Sequence, residues 1–134
     1  MQKGLKAGDK NIERTIRDIL KSRSRSSVYL YLLKKEGAKT EQVIKGTCLH
    51  PSTVRETLSK MHDQKLIYRK KIKNDSIGKN PYLYYAIPPV KLLRRYVLEM
   101  ENRLNKLASL AMPREQRRNF RPVRIEICEG AGKT

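Results

Sequence analysis

The hydrophobic period changes partway through one short block of this chain, and that change limits the folds open to it. From Thr40 to Met61 apolar residues recur at helical spacing, whereas residues 66–72 and 82–87 are rich in β-branched and aromatic side chains. Thr40 can cap a short helix over residues 41–45, with Val43 and Ile44 as its buried contacts. Gly46 then ends it, and Thr47-Cys48-Leu49 forms a tight turn. His50-Pro51-Ser52 opens the next helix, because proline at the first helical position gives up an N–H that would have had no partner there. Val54, Leu58 and Met61 form that helix's buried stripe. The segment Asn74-Asp75-Ser76-Ile77-Gly78-Lys79-Asn80-Pro81 is turn chemistry, so the two β-prone segments read as a hairpin with a basic tip.

Upstream, Ile12, Ile16, Ile19 and Leu20 place an amphipathic helix over residues 11–21. The serine-arginine run 22–27 interrupts the pattern and supplies caps for a helix over 27–36, which carries Val28, Tyr31, Leu32 and Lys35 at helical spacing and stops at Gly37. Downstream, Pro88-Pro89 ends the hairpin and helical periodicity resumes over 90–111. Leu93, Val97, Met100, Leu104 and Leu107 step by four, three, four and three, the seam of a coiled coil or helix pair. The same stripe could instead fold back on Ile12, Ile16 and Ile19. Past Met112-Pro113 come Arg114, Arg117, Arg118, Arg121 and Arg124, and an alternating stretch, 123–127, that reads either as an edge strand or as a disordered tail. The organisation expected is an arm and helix (1–21), a central domain (22–89), a long helix (90–112) and a basic tail (113–134).

Charge narrows the partners. Thirty-one Lys and Arg stand against 13 Asp and Glu, giving +18 and a sequence pI near 10.2, so a polyanion is expected. Ten of the basic residues and two acidic ones fall between Lys60 and Arg95, although a merely solvated basic surface would show the same count. No stretch approaches the roughly 20 apolar residues that span a membrane, and residues 1–10 lack the apolar run of a secretory signal, so a cytoplasmic protein with no membrane partner is expected. Cys48 and Cys128 lie 80 positions apart and read as buried or unreactive free thiols. With His50 and His62 they match no zinc spacing. The terminal Gly130-Ala131-Gly132-Lys133-Thr134 is not a nucleotide loop, since that motif's first glycine would stand at Ile127. No nucleophile, base and carboxylate grouping is suggested, so neither catalysis, nor a cofactor, nor a metal is expected.

The run Thr40-Glu41-Gln42-Val43-Ile44, followed by Leu49-His50-Pro51-Ser52-Thr53-Val54-Arg55-Glu56-Thr57-Leu58-Ser59-Lys60-Met61, resembles the helix-turn-helix of archaeal TrmB-like and bacterial MarR-type regulators. Asp63-Gln64-Lys65-Leu66-Ile67-Tyr68-Arg69 is similar to the step from recognition helix into wing in those families, and the likeness covers about residues 26–87. It implies a mainly α fold with a small β-hairpin, of α+β class: a winged helix-turn-helix flanked by an N-terminal helix and a long C-terminal dimerisation helix. It also implies a transcription regulator that binds double-stranded DNA as a homodimer, with the helix from Pro51 in the major groove and the hairpin along the backbone or minor groove. The matching positions are Ser52, Thr53, Arg55, Glu56, Ser59 and Lys60 on the helix, and Arg69, Lys71, Lys73 and Lys79 on the wing. The chain departs from the pattern at Gln64 and Lys65, where those families often place a glycine. The larger TrmB-like regulators carry a sugar-binding domain after the long helix; about two dozen residues follow it here, so a short form without a small-molecule effector is expected.

Among these residues Arg55 is the expected base reader, because its guanidinium fork can pair with both major-groove acceptors of guanine. Glu56 could accept from cytosine N4, could orient Arg55 or Lys60, or could simply pair with Lys60 one helical turn on. His50 is a helix-start residue or a phosphate contact. Leu93, Val97, Met100, Leu104 and Leu107 would form the dimer interface. The Arg-rich tail could meet DNA or a partner in the transcription machinery. A non-specific chromatin-like or RNA-binding protein is the competing reading, in which Tyr82, Tyr84 and Tyr85 would stack on unpaired bases rather than pack the wing.

Overall fold

The computed structural model describes residues 10–72 and 82–128. Its elements are α1 (Lys10–Leu20), α2 (Arg23–Lys35), α3 (Thr40–Thr47), α4 (Pro51–Asp63), β1 (Ile67–Lys71), β2 (Tyr82–Ala86) and α5 (Pro89–Ala108), followed by 3-10 turns over Ser109–Ala111 and Arg114–Asn119. The chain divides into two compact units, Met1–Pro88 and Pro89–Thr134.

In the first unit α1 lies against α2, with Ile12, Ile16 and Ile19 half-buried and Leu20 buried. The serine-arginine run does not interrupt the helices as expected: α2 begins at Arg23. Ser22 is its N-cap, the Oγ accepting from the Arg25 N–H at 3.1 Å, and Ser26 donates its hydroxyl back to the Ser22 carbonyl at 3.0 Å. These serines therefore find backbone partners within a helix instead of competing with it. The buried stripe also differs. Val28, Tyr29 and Leu32 are fully buried, while Tyr31 is only half-buried and Lys35 is exposed. Tyr29 can be buried because its hydroxyl donates to the Ile87 carbonyl at 2.7 Å.

The α2–α3 connection turns on Glu36 and Gly37, at φ 56 and +118. A Cβ at Gly37 would meet Tyr85 Cε2 at 2.6 Å. Gly37→Ala is expected to destabilise the protein by about 1–3 kcal/mol, from positive-φ strain and overpacking together, read as a lower urea midpoint with unchanged slope.

Thr40 is the first residue of α3 and buried, not its cap. The cap residue is Lys39, whose N–H donates to Gln42 Oε1 at 2.8 Å. Nor does Gly46 end this helix. α3 runs on to Thr47, and Cys48 supplies the left-handed residue (φ 60), its N–H reaching the Ile44 carbonyl at 3.1 Å. Gly46 serves close packing instead, since a Cβ there would overlap the Tyr31 ring. Cys48 and Cys128 are free thiols, but both are exposed, so the expected burial does not hold.

Val43 from α3, Val54, Leu58 and Met61 from α4, and Leu66, Ile67, Tyr84 and Ile87 from the hairpin complete the core around α2. β1 and β2 pair antiparallel, with Ile67 opposite Ala86, Arg69 opposite Tyr84 and Lys71 opposite Tyr82. Ala38 adds a short bridge on the other side of β2, exchanging two backbone hydrogen bonds with Tyr84 at 3.0 and 2.8 Å. The step into β1 is made by Lys65 at φ 61, so a lysine adopts the left-handed conformation that glycine takes up most readily. Leu66 N closes the turn on the Met61 carbonyl at 2.9 Å.

In the second unit α5 starts at Pro89 and gives way to a 3-10 turn after Ala108, short of the helix to residue 111 that periodicity suggested. The alternating stretch after the basic segment is neither an edge strand nor a free tail. Its backbone is held by side chains of α5: Asn105 donates to the Val123 carbonyl at 3.0 Å and accepts the Val123 N–H at 2.7 Å, and Glu101 accepts the Ile125 N–H at 3.0 Å. Val123, Ile125 and Ile127 are half-buried while Arg124, Glu126 and Cys128 are exposed, so the alternation marks a segment lying on a helix. Among the described residues no helix is long and apolar enough to cross a membrane.

Candidate nucleic-acid interface

α4 is placed by its N-terminus. His50 takes the cap position in extended conformation, and its Nδ1 accepts the Ser52 N–H at 3.2 Å with Ser52 Oγ 2.9 Å away. That bond requires the proton on Nε2, which leaves an outward donor on an exposed ring. His50 is thus the helix-start residue its position suggested. Pro51 follows at the first helical position, and Val54, Thr57, Leu58 and Met61 bury one face of the helix.

The opposite face carries the polar residues. Ser52, Arg55, Glu56, Ser59 and Lys60 are exposed and Thr53 is half-buried. Lys60 Nζ lies 3.2 Å from Glu56 Oε2, both side chains more than half exposed, so of the roles open to Glu56 the chain alone realises the i,i+4 pair. Such a pair contributes only about 0.2–0.5 kcal/mol, and a stronger external partner could replace it.

Strand alternation sets the wing. Arg69, Lys71, Tyr82 and Tyr84 share one face of the hairpin, and Tyr68, Lys70, Leu83 and Tyr85 the other. The Arg69 guanidinium sits 4.3 Å from the Tyr82 ring centre, a contact that restrains an otherwise loose side chain at an exposed position. Arg55, Ser59 and Asp63 of α4 and Arg69 of β1 open onto one concavity of about 380 Å³, with Tyr84 and Thr40 in its wall. The structure therefore brings the expected base reader and the first expected wing cation to a single groove. Lys71 is exposed nearby on the same face. Lys73 and Lys79 lie outside the described residues.

Sequence reasoning missed the other wing face. Tyr68 and Tyr85 stack at 5.2 Å, nearly parallel, and Lys70 Nζ stands 5.2 Å over the Tyr85 ring. Period-two alternation through Tyr68-Arg69-Lys70-Lys71 carried that signal, since it sends Lys70 away from Arg69 and Lys71. The tyrosines pack the wing: Tyr84 is buried, Tyr82 meets it edge-on at 6.5 Å, and Tyr85 is covered by Tyr68 and Lys70.

On α5, Leu93, Leu104 and Leu107 are 40, 37 and 65% exposed, Val97 and Met100 are half-buried, and Val90 extends the same 4-3 stripe by one step. Among the described residues no group of histidine, cysteine and carboxylate side chains gathers to hold a metal.

A helix-turn-helix whose second helix leads directly into an antiparallel hairpin defines a winged helix-turn-helix protein, the architecture of many transcription regulators. Residues 22–90, just over half of the chain, match the family described as the sugar-specific transcriptional regulator TrmB, and the chain belongs to that family of transcription regulators. Among solved structures it is similar to one described as a possible transcriptional regulator from Methanosarcina mazei Go1, at 19% identity and a TM-score of 0.60, over 76% of this chain and 89% of that one; at that identity the likeness speaks for the fold. A search of curated proteins gave no match.

Proposed function

We propose that this regulator recognises a specific double-stranded DNA site as a homodimer, with α4 in the major groove and the hairpin on the flanking backbone or minor groove. The observation that carries the reading is the groove in which Arg55 and Ser59 of α4 meet Arg69 of the wing, on a chain of net charge +18. Cations on the wing and around α4 neutralise phosphates and set the register, while Arg55 reads a base edge. The exposed 4-3 stripe of α5 supplies a self-complementary helix seam, which would place two recognition helices on half-sites about 34–36 Å apart. The Arg-rich segment after α5 is a second basic surface, for a transcription-machinery partner.

Selection from a random-sequence duplex pool at two salt concentrations tests this reading. A paired motif that persists at the higher salt is the expected result; binding without a motif that vanishes with salt would instead mark a chromatin-like protein. Arg55→Ala is expected to reduce discrimination at one base pair of the selected site by roughly 5- to 150-fold, the equivalent of losing one bidentate contact, while non-specific binding changes little. Unchanged discrimination would remove Arg55 from the reading. RNA binding through stacked bases has less support, because the wing tyrosines are engaged with one another and with cations.

A further inference from the structure

The second unit holds a concavity that DNA recognition by α4 and the wing does not use. Asn102, Lys106 and Ser109, spaced to share one face of α5 and its 3-10 extension, line a cavity of about 270 Å³ together with Arg117, Arg118 and Arg121 of the returning segment. Phe120 adds an apolar side, and among the described residues no carboxylate lines it.

Four cations around so small a volume repel one another unless an anion lies between them. Among the described residues only Arg121 of these four has a carboxylate near it, Glu101 at 3.9 Å, and Glu101 also accepts the Ile125 N–H. Lys106 and Arg118 have no side-chain partner among the described residues.

The remaining contacts organise the site rather than fill it. Arg117 Nε donates to the Met112 carbonyl at 3.0 Å, which orients the guanidinium and leaves its terminal nitrogens available. Arg121 donates to Asn102 Oδ1 at 2.7 Å, so the Asn102 amide NH2 remains a donor. Buried Asn105, hydrogen-bonded twice to Val123, fixes the returning segment against the helix. The C-terminal pole of α5 alone would repel an anion. Here the Ser109 hydroxyl covers the Lys106 carbonyl at 2.8 Å and Arg117 covers that of Met112, so nearby carbonyls face donors of the protein's own.

We propose that this cavity binds a phosphate group, as inorganic phosphate or as the phosphate of a small phosphorylated metabolite. A tetrahedral dianion accepts several charge-assisted hydrogen bonds at once, and guanidinium forks match its oxygen spacing. The volume lies just under that of pockets for drug-sized ligands, which suits phosphate with at most a small organic substituent. This proposal is independent of DNA recognition by α4 and would place an effector site on a chain whose sequence suggested none.

The test is calorimetric titration of the full chain with inorganic phosphate and, separately, glycerol 3-phosphate, at ionic strength held constant with sodium chloride. One saturable site per chain with sub-millimolar affinity is expected. Lys106→Gln and Arg118→Gln should each weaken it about tenfold, the loss of one charge-assisted hydrogen bond, with the salt dependence of DNA binding unchanged. Heats no larger than those of chloride, or affinity indifferent to both substitutions, would overturn the proposal. So would absence of free-phosphate binding together with a DNA salt slope reduced by about two in the double variant, which would assign these cations to the duplex backbone.

Discussion

Leu93→Asp combined with Leu104→Asp is expected to leave the protein monomeric at micromolar concentration and to weaken its binding to a two-half-site DNA by roughly 100-fold or more. Both side chains are substantially exposed, at 40 and 37%, so the aspartates meet water within a single chain and the fold of each unit should survive. In a paired helix the same carboxylates would be buried in an apolar seam without partners, which costs far more than one leucine contact contributes. The large DNA effect follows from linkage. In a dimer the second recognition helix binds at a high effective concentration, whereas separate monomers each bind a half-site alone. Light scattering of the wild type and the variant, with titration of single and paired half-sites, checks both parts. Half-site affinity should be unchanged. A wild type that stays monomeric at micromolar concentration would assign the apolar stripe of α5 to something other than a second copy.

The architecture was legible because period and composition change where the structure changes. The start of α4 at Pro51 and the hairpin segments around Ile67 and Tyr84 were each marked by more than one independent signal. Boundaries failed where one residue type can serve two purposes. Glycine can mean a helix end or close packing, and at Gly46 the ring of Tyr31 decides for packing, which no local pattern reveals. Serine can break a helix or cap and line one, and the hydroxyls of Ser22 and Ser26 do the latter because backbone partners lie within reach. Left-handed residues were sought at glycines, yet Glu36, Cys48 and Lys65 adopt that conformation as well.

For the candidate site, helical and strand periodicity sufficed to place Ser52, Arg55, Glu56, Ser59 and Lys60 on one exposed face and Arg69 with Lys71 on one side of the wing. The groove that joins Arg55 to Arg69 depends on how the hairpin sits on α4, a long-range relation the sequence does not encode locally. The docking of the returning segment on α5 was invisible for a different reason. Its alternation suggested a strand, and the alternative, a run of backbone hydrogen bonds to Asn105 and Glu101, needs two polar side chains that look like ordinary surface residues of an amphipathic helix. Asn105 is among the few buried polar residues of the described part of the chain, and its burial is intelligible only once Val123 is beside it.

Tyr29→Ala is expected to cost about 3–5 kcal/mol, a large share of the roughly 5–15 kcal/mol that holds a domain folded, and so to populate the unfolded state measurably in chemical denaturation. The ring is fully buried in the middle of the first unit, and its hydroxyl ties α2 to Ile87, the residue where the hairpin leaves the core. Tyr29→Phe separates the two contributions. It keeps the ring but leaves the Ile87 carbonyl without its donor, at a cost of about 1–3 kcal/mol. The same burial makes the phenolate unfavourable and pushes Tyr29 from its ordinary 10.0 up to about 12. The native state then retains a proton that the unfolded chain loses near pH 10. The stability in question is whole below pH 10 and falls by about 1.4 kcal/mol per pH unit between pH 10 and about 12, where the native phenol ionises too. The informative quantity is the difference between wild type and Tyr29→Phe, in which the contributions of all other groups cancel. Their stabilities should converge as the pH rises through that interval, because only the wild type has this proton to lose. Parallel curves would mean that the Tyr29 hydroxyl ionises as freely in the folded protein as in the unfolded chain, so that burial does not hold its proton.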